Sequence, residues 1–298
     1  MDGFIVGQIV DGVITGSVYA LIAAGMTMIF GVLRAINFAH GEYYMMGTFG
    51  AWYVMSKLGL DYGSSIIIST IIAGGIAALI GWFVMRRLIG APFQSGVLAT
   101  LGLSLILQNA VILAFGGGYK VFPGGWLNPI HILGVGMSEQ RLLIVVATLA
   151  VFAGLEIMVR YTHLGKSIRA VSQNPDCCRV IGIDVDRVVQ WTFVIGTMLA
   201  ALSGALTGPI NVSMYGSMGD AVTLKTFAVI VMGGMGNVRG TLIAGWMLGI
   251  VESLVAGYIG LQYRDAVGFI ALIAMLMVKP TGFFTPKARF LVAASKLR

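Results

Sequence analysis

Long apolar runs separated by short polar segments fill most of the 298-residue chain. A helix needs about 20 apolar residues to cross the roughly 30 Å hydrocarbon core of a bilayer. Nine such runs fall near 5–33, 40–57, 64–85, 94–115, 142–159, 188–210, 221–237, 240–260 and 265–278. The second, seventh and ninth runs are short and rich in glycine or polar residues, so one of them is a candidate re-entrant segment. The pattern predicts an all-α bundle of eight to nine membrane spans in a single domain over residues 1–298.

Composition supports a membrane protein. Hydrophobic residues make up 58% of the chain and charged residues only 10%, whereas soluble domains carry about 25% charged residues. The surplus apolar surface is therefore expected to face lipid. No basic segment precedes the first run, so we expect that run to be retained as a span.

The basic residues predict an orientation, because cytoplasmic segments carry more lysine and arginine. With the N-terminus outside and nine crossings, fourteen basic residues fall inside and four outside, and Lys225 lies within a span. The chain is therefore predicted to be N-out and C-in, and its net charge of +7 does not indicate nucleic acid. The inside residues are Arg34, Arg86, Arg87, Arg160, Lys166, Arg169, Arg179, Arg187, Arg239, Lys279, Lys287, Arg289, Lys296 and Arg298; the outside ones are Lys57, Lys120, Arg141 and Arg264.

Two connections are long. The predicted outside loop 116–140 is rich in glycine, proline and aromatic residues, and the predicted inside loop 160–187 is polar and basic. Within the inside loop, Asn174 followed by Pro175 is typical of a helix start, with asparagine as the cap. We expect a short helix over Pro175–Ile181 on the cytoplasmic face, in which Cys177 and Cys178 are small fillers rather than a redox or metal pair.

Ionisable residues inside spans are costly and require an explanation. Glu156 is expected to pair with Arg160 four residues later, and Lys225 to extend towards the outer surface near Asp220. Asp11 and Glu252 are expected either to line a water-filled cavity or to pair with another helix; both readings stay open. We find no catalytic constellation and no metal-ligand spacing, since His40, His131 and His163 are far apart. No metal or cofactor is expected on this chain.

A polar cluster interrupts the start of the second run, at Asn37, His40, Gly41 and Glu42. It is either an interfacial turn that meets water or non-helical backbone buried in protein, and a direct contact with a transported molecule is a third reading. Gly233, Gly234 and Gly236 are expected to break or bend a membrane segment. Glycines spaced four residues apart predict close helix packing; they are Gly12 with Gly16, Gly204 with Gly208, and Gly245 with Gly249.

Three stretches resemble the permeases of ABC importers for branched-chain amino acids, and specifically the shorter of the two permease types. The first is Arg34–Glu42 with Met45-Met46-Gly47, the second is Gly165–Pro175 running to Gly182-Ile183-Asp184, and the third is Phe227–Gly240. The resemblance implies that the inside loop is a coupling segment that contacts an ATPase. Its expected contact residues are Gly165, Lys166, Arg169, Ala170, Asn174, Pro175 and Gly182. The cysteine pair departs from the small residues that are commoner there in the family.

The resemblance also implies partners and location. Such a permease pairs with a second, related permease in the bacterial inner membrane, above two cytoplasmic ATPase subunits that bind ATP and magnesium, and a periplasmic binding protein delivers the substrate. This chain would itself not be an enzyme. Branched-chain amino acids are the implied substrates; other amino acids, amides or urea are alternatives within the family. A self-sufficient secondary transporter with an ion site at Asp11 or Glu252 is a further alternative.

Overall fold

The computed structural model describes residues 2–33, 35–132, 135–211, 213–279 and 281–284. Five of the predicted inside residues lie outside the described residues: Arg34, Lys287, Arg289, Lys296 and Arg298. The described part is built from α-helices with one small hairpin, which confirms the all-α prediction. The helices are α1 (Asp2–Leu33), α2 (His40–Leu58), α3 (Tyr62–Phe83), α4 (Phe93–Phe115), α5 (Glu139–Tyr161), α6 (His163–Gln173), α7 (Pro175–Val180), α8 (Val185–Thr207), α9 (Met218–Gly233), α10 (Val238–Tyr258) and α11 (Arg264–Val278).

Each of the nine apolar runs forms one helix. In the described part of the chain, seven helical segments are long and apolar enough to cross a membrane. The two exceptions are α2, which carries His40 and Glu42 in its first turn, and α9, which has only 16 residues. Both were singled out as short or polar. The structure therefore supports seven candidate spans, and the higher count of eight to nine stays a prediction.

The boundaries of some helices differ from those of the apolar runs, because a capping residue determines where the helix begins or ends. Helix α8 begins at Val185 because the Asp184 carboxylate accepts a hydrogen bond from the amide of Arg187, so the helix includes polar residues that the run excluded. Helix α9 ends at Gly233 because Gly234 adopts a φ of +88°, which favours glycine. Helix α3 begins after Asp61, whose pKa is lowered by hydrogen bonds from the hydroxyl and amide of Ser64.

The long helices run between two faces of the bundle. We call the face where α1 begins the amino-terminal face and the face where α1 ends the opposite face. Helices α1 and α10 pack antiparallel, since Gly12 lies against Ile250 and Gly16 lies against Gly245. A Cβ atom at either glycine would overlap the α10 backbone, so the small residues allow the close approach that their spacing predicted.

Helix α8 lies at the centre of the bundle. Gly204 faces the backbone of Tyr44 in α2, and Gly196 faces Gly25 in α1. Tyr62 at the start of α3 donates a hydrogen bond to the carbonyl of Ala205. Helix α8 therefore holds α1, α2 and α3 together through close backbone contacts and buried side chains.

The segment from 116 to 138 holds structure that the hydropathy pattern did not predict. Strands β1 (Pro129–Ile132) and β2 (Val135–Ser138) form an antiparallel hairpin, with His131 opposite Gly136. Lys120 also forms a backbone bridge to Met214. These short pairings cover part of the amino-terminal face between α4 and α5.

Candidate functional site

The start of α2 lies inside the bundle rather than at its edge. Asn37, His40 and Glu42 are all buried. The imidazole Nε2 of His40 donates to the carbonyl oxygen of Ile22, 3.0 Å away, and Ile22 lies well inside α1. The amide of Gly41 donates to the Thr223 hydroxyl of α9. The His40 contact fixes the start of α2 to α1, and the Thr223 hydroxyl accepts from one of the free amides of the first helical turn.

Glu42 forms the centre of a polar cluster between α2, α4 and α9. Its Oε1 accepts hydrogen bonds from Ser104 Oγ and Gln108 Nε2, each at 2.9 Å. The same Gln108 amide group donates to Asp220 Oδ1 at 2.7 Å. Gln108 thus bridges two carboxylates in the first turns of α2 and α9, where the helix dipoles favour negative charge. Neither Ser104 nor Gln108 was singled out from the sequence, because their partners are more than 60 residues away along the chain.

The burial and hydrogen bonds of the segment 37–42 bear on its two structural readings, an interfacial turn that meets water and non-helical backbone buried in protein. His40 Nε2, the Gly41 amide and Glu42 Oε1 have protein partners, whereas Asn37 Nδ2, His40 Nδ1 and Glu42 Oε2 are buried without one among the described residues. All three side chains are shielded from bulk solvent, as expected of a segment buried in protein. The burial of these residues therefore favours the reading as buried backbone over an interfacial turn that meets water. A contact with a transported molecule stays a prediction for these residues.

The predicted glycine bend lies at the opposite face, between α9 and α10. Gly234 and Gly236 have φ values of +88° and +84°. Gly233 packs so closely on Gly240 that a Cβ atom on either would overlap the other's backbone. The turn also receives the chain after α11, because the Phe283 amide donates to the Met232 carbonyl. The glycines therefore form a tight turn between two helices, which is a break in the membrane segment and not a bend within one helix.

Lys225 lies in a charge network that joins α1, α9, α10 and α11 and extends from the buried Glu252 to the exposed Asp265. Its Nζ is 2.7 Å from Asp265 Oδ1, 3.3 Å from Glu252 Oε2 and 3.0 Å from the Tyr19 hydroxyl. Tyr19 also donates to Glu252, and Arg264 Nε is 3.5 Å from the same carboxylate. The expectation that Lys225 extends to a position near Asp220 is wrong, because its ammonium instead reaches Asp265, which is exposed at the start of α11. Glu252 is fully buried and paired, so the structure supports the second reading for this residue.

Asp11 both pairs with another helix and lines a cavity, the two roles that the sequence left open. It forms an ion pair with Arg141 of α5, and both residues line a cavity of about 660 Å³. We call this cavity the chamber. Its walls come from α1, α5, the 207–215 segment, α9, α10 and the start of α11, and Tyr19 and Tyr44 contribute to its inner end. The polar motif from Asn37 to Glu42 does not contribute to the described lining of the chamber.

The predicted coupling loop forms two helices on the opposite face. The Asn174 side chain caps α7 by accepting hydrogen bonds from the amides of Asp176 and Cys177, which confirms the predicted cap, and α7 ends at Val180, one residue earlier than predicted. Helix α7 is followed by Gly182 at a φ of +85°. Val180 and Ile181 are 87% and 73% exposed. This loop therefore presents apolar side chains away from the bundle.

The first of the two helices, α6, is fixed to the end of α5. The Thr162 hydroxyl accepts a hydrogen bond from the Gly165 amide, and Gly165 packs on the backbone of Val159. The Arg169 guanidinium donates to the Val159 carbonyl oxygen. Lys166 is exposed, and Ala170 is half-buried. Arg169 therefore anchors α6 to α5 as well as lying on the predicted contact surface.

Glu156 pairs with Arg160, as predicted, and also with Arg239 at the start of α10. Arg239 Nε and Nη2 are 3.1 and 2.7 Å from the two carboxylate oxygens. This two-pronged contact ties α5 to α10 next to the start of α6. The end of α5, which carries α6, is thus fixed to the start of α10.

Comparison with known proteins agrees with this architecture. The family described as the permease component of branched-chain amino acid transport systems matches residues 8–276. The high-affinity branched-chain amino acid transport system permease protein LivH of Escherichia coli K12 is 33% identical over 289 residues, covering 92% of this chain and 94% of LivH. The corresponding protein BraD of Pseudomonas aeruginosa is 33% identical over 288 residues, with the same coverage.

Among solved structures, the chain resembles PsaBC from Streptococcus pneumoniae in complex with Fab. The TM-score is 0.50 at 13% identity, covering 95% of this chain and 94% of the other. At this identity the likeness concerns the fold alone. The family match spans most of the chain, and the two curated relatives share a third of its residues. The chain therefore belongs to the family of permease components of branched-chain amino acid transport systems.

Proposed function

We propose that the chain is the membrane-spanning permease subunit of an ABC importer that carries branched-chain amino acids across the bacterial inner membrane. The observation that supports this most directly is family membership over residues 8–276, together with relatives whose names specify branched-chain amino acid transport. In this proposal the amino-terminal face is periplasmic and the opposite face cytoplasmic. The described basic residues on the opposite face include Arg86, Arg160, Lys166 and Arg187, which fits the positive-inside rule.

ATP hydrolysis takes place on separate cytoplasmic subunits. The apolar residues that α7 exposes, Val180 and Ile181, suit a groove in such a subunit, and the anchored helix α6 would transmit its movement to α5. A binding protein on the periplasmic face delivers the substrate. Gly165, Lys166, Arg169, Ala170, Asn174, Pro175 and Gly182 lie on or support this contact surface.

A second, related permease covers part of the membrane-facing surface. Asp220 is exposed in this chain, although its partner Gln108 lies seven residues inside the end of α4. A charged side chain facing lipid costs about 2.5–3.5 kcal/mol on insertion scales. Protein or a protein-lined aqueous path beside Asp220 would remove this cost, and a partner permease supplies it.

The experiment is purification of the chain with its associated subunits, followed by reconstitution in liposomes. We expect uptake of leucine, isoleucine or valine against a gradient only when both ATP and the binding protein are present. Urea, acetamide and other amino acids test the alternative substrates. Concentrative uptake by this chain alone would contradict the proposal and favour a secondary transporter.

A further inference from the structure

The chamber combines charges of both signs with an apolar wall. Its volume of about 660 Å³ lies within the range of small-molecule sites. It extends from Asp11 and Arg141 near the amino-terminal face to Tyr44 in the first turns of α2. The Tyr44 hydroxyl is fixed there by hydrogen bonds with Thr207 and Asn211.

The charges form two groups, and both contact α1. In the first group, Asp11 of α1 pairs with Arg141 of α5. In the second, Lys225 pairs with Asp265, whose side chain is still 74% exposed, and Arg264 donates to the Thr15 hydroxyl of α1. Each group therefore offers a cation and an anion side by side. This pattern complements a ligand that carries an ammonium and a carboxylate on one carbon atom, and it suits a purely cationic or anionic ligand less well.

The rest of the lining includes aliphatic and thioether side chains: Ile14, Val18, Ile144, Met218 and Val222. They can receive a branched aliphatic side chain by excluding water from it. Urea and small amides such as acetamide carry neither of the two charges and have no branched aliphatic group. The lining thus matches an amino acid with an apolar side chain in both of its chemical parts.

We propose that the chamber is a transit site for the zwitterionic amino acid on its way through this subunit. This inference rests on the proposed import function and assigns a place in this chain to the substrate. The charges of the chamber already have partners, because Lys225 contacts Glu252 and Tyr19 as well as Asp265. A ligand must compete with these contacts, so binding is weak, as a pathway that must release its substrate requires.

Thiol protection tests the site in the assembled transporter without ATP or binding protein. In a background with Cys177→Ser and Cys178→Ala, Val222→Cys places a thiol in the chamber. We expect L-leucine to slow its modification by N-ethylmaleimide. 4-Methylpentanoate lacks the ammonium and isopentylamine lacks the carboxylate, so each should need about ten-fold or higher concentrations, since one charge-assisted hydrogen bond is lost. Tyr119→Cys, exposed outside the chamber, is the control and should react at the same rate with or without leucine.

Two outcomes would overturn the proposal: no protection by leucine at concentrations far above those that saturate uptake, or equal protection by both half-analogues. Filling the chamber gives a second measurement. Ala221→Trp on α9 and Ala256→Trp on α10 should each reduce leucine uptake at least about ten-fold, while Ile67→Trp, exposed on α3 outside the chamber, should not. Normal uptake in both chamber variants would refute the transit site while leaving the proposed function intact. Absence of branched-chain amino acid uptake in the unmodified transporter would refute the proposed function itself.

Discussion

Single glycines set the distances between the helices of this bundle. Gly25 of α1 and Gly196 of α8 face each other, and a Cβ atom on either would overlap the carbonyl oxygen of the other. In a membrane, helices gain stability from such close backbone packing because lipid provides no hydrophobic drive for association. The contact brings α1 against the central helix α8, directly beside the buried start of α2.

Gly25→Ala should therefore destabilise the protein. Overpacking of a well-packed site costs about 1–3 kcal/mol. The matched control is Gly75→Ala in α3, where an added Cβ meets no atom within 4 Å and the higher helix propensity of alanine favours stability. We expect the midpoint of thermal unfolding in detergent to fall for Gly25→Ala and to stay level or rise for Gly75→Ala. Equal midpoints would show that the α1–α8 contact relaxes without cost.

At the scale of single residues, the sequence identified charges but not their partners. Glu42, Glu252 and Lys225 were recognisable because an ionisable residue inside a span is costly. The hydroxyl that bonds Glu252 belongs to Tyr19, which is 233 positions away. Such pairings depend on tertiary packing, and neither spacing nor periodicity along the chain contains them. Local features such as the Asn174 cap were predictable because they involve neighbouring residues only.

At the scale of elements, α7 joins the bundle through few contacts and exposes its apolar end. Val180 is 87% exposed on the opposite face. Val278, at the end of α11 on the same face, is 83% exposed. The two valines are thus matched in residue type and exposure, and they differ in whether they lie on the predicted contact surface of an ATPase.

Val180→Glu should weaken the binding of the ATPase subunits, and Val278→Glu should not. A buried apolar anchor at an interface is worth about 2 kcal/mol or more, which corresponds to a loss of affinity of roughly 30-fold. Co-purification of the ATPases and substrate-stimulated ATP hydrolysis measure the effect. An unchanged complex in Val180→Glu would contradict the assignment of α7 as a docking helix. Arg169→Glu is a less specific test, because Arg169 also holds α6 on the Val159 carbonyl.

The helices themselves were predictable where apolar length decided them. Seven candidate spans coincide with apolar runs, and hydropathy placed their ends within a few residues. Helices α2 and α9 could be located but not assigned as full crossings, because their polar first turns are stabilised by each other and by α4. The hairpin of β1 and β2 was missed because each strand has only four residues, too few to stand out in a segment rich in glycine and proline.

At the scale of the whole molecule, orientation is the property that links the fold to transport. The chamber lies towards the amino-terminal face and α7 towards the opposite face, so import requires that these faces be periplasmic and cytoplasmic. The chain offers a natural reporter: Cys177 is exposed on α7, whereas Cys178 is buried. A thiol reagent that cannot cross the membrane will therefore find Cys177 from one side only.

We expect a membrane-impermeant maleimide to label the chain in inside-out vesicles and to leave it unlabelled in right-side-out vesicles. Loss of labelling in Cys177→Ser confirms the reactive residue. Leu127→Cys, added to that variant, places an exposed thiol on the amino-terminal face and should show the reverse pattern. Labelling should be done in vesicles that contain no ATPase subunits, because a bound ATPase would cover α7. If Cys177 reacts in right-side-out vesicles, the chamber opens to the cytoplasm, and the geometry then fits release of a substrate rather than its uptake.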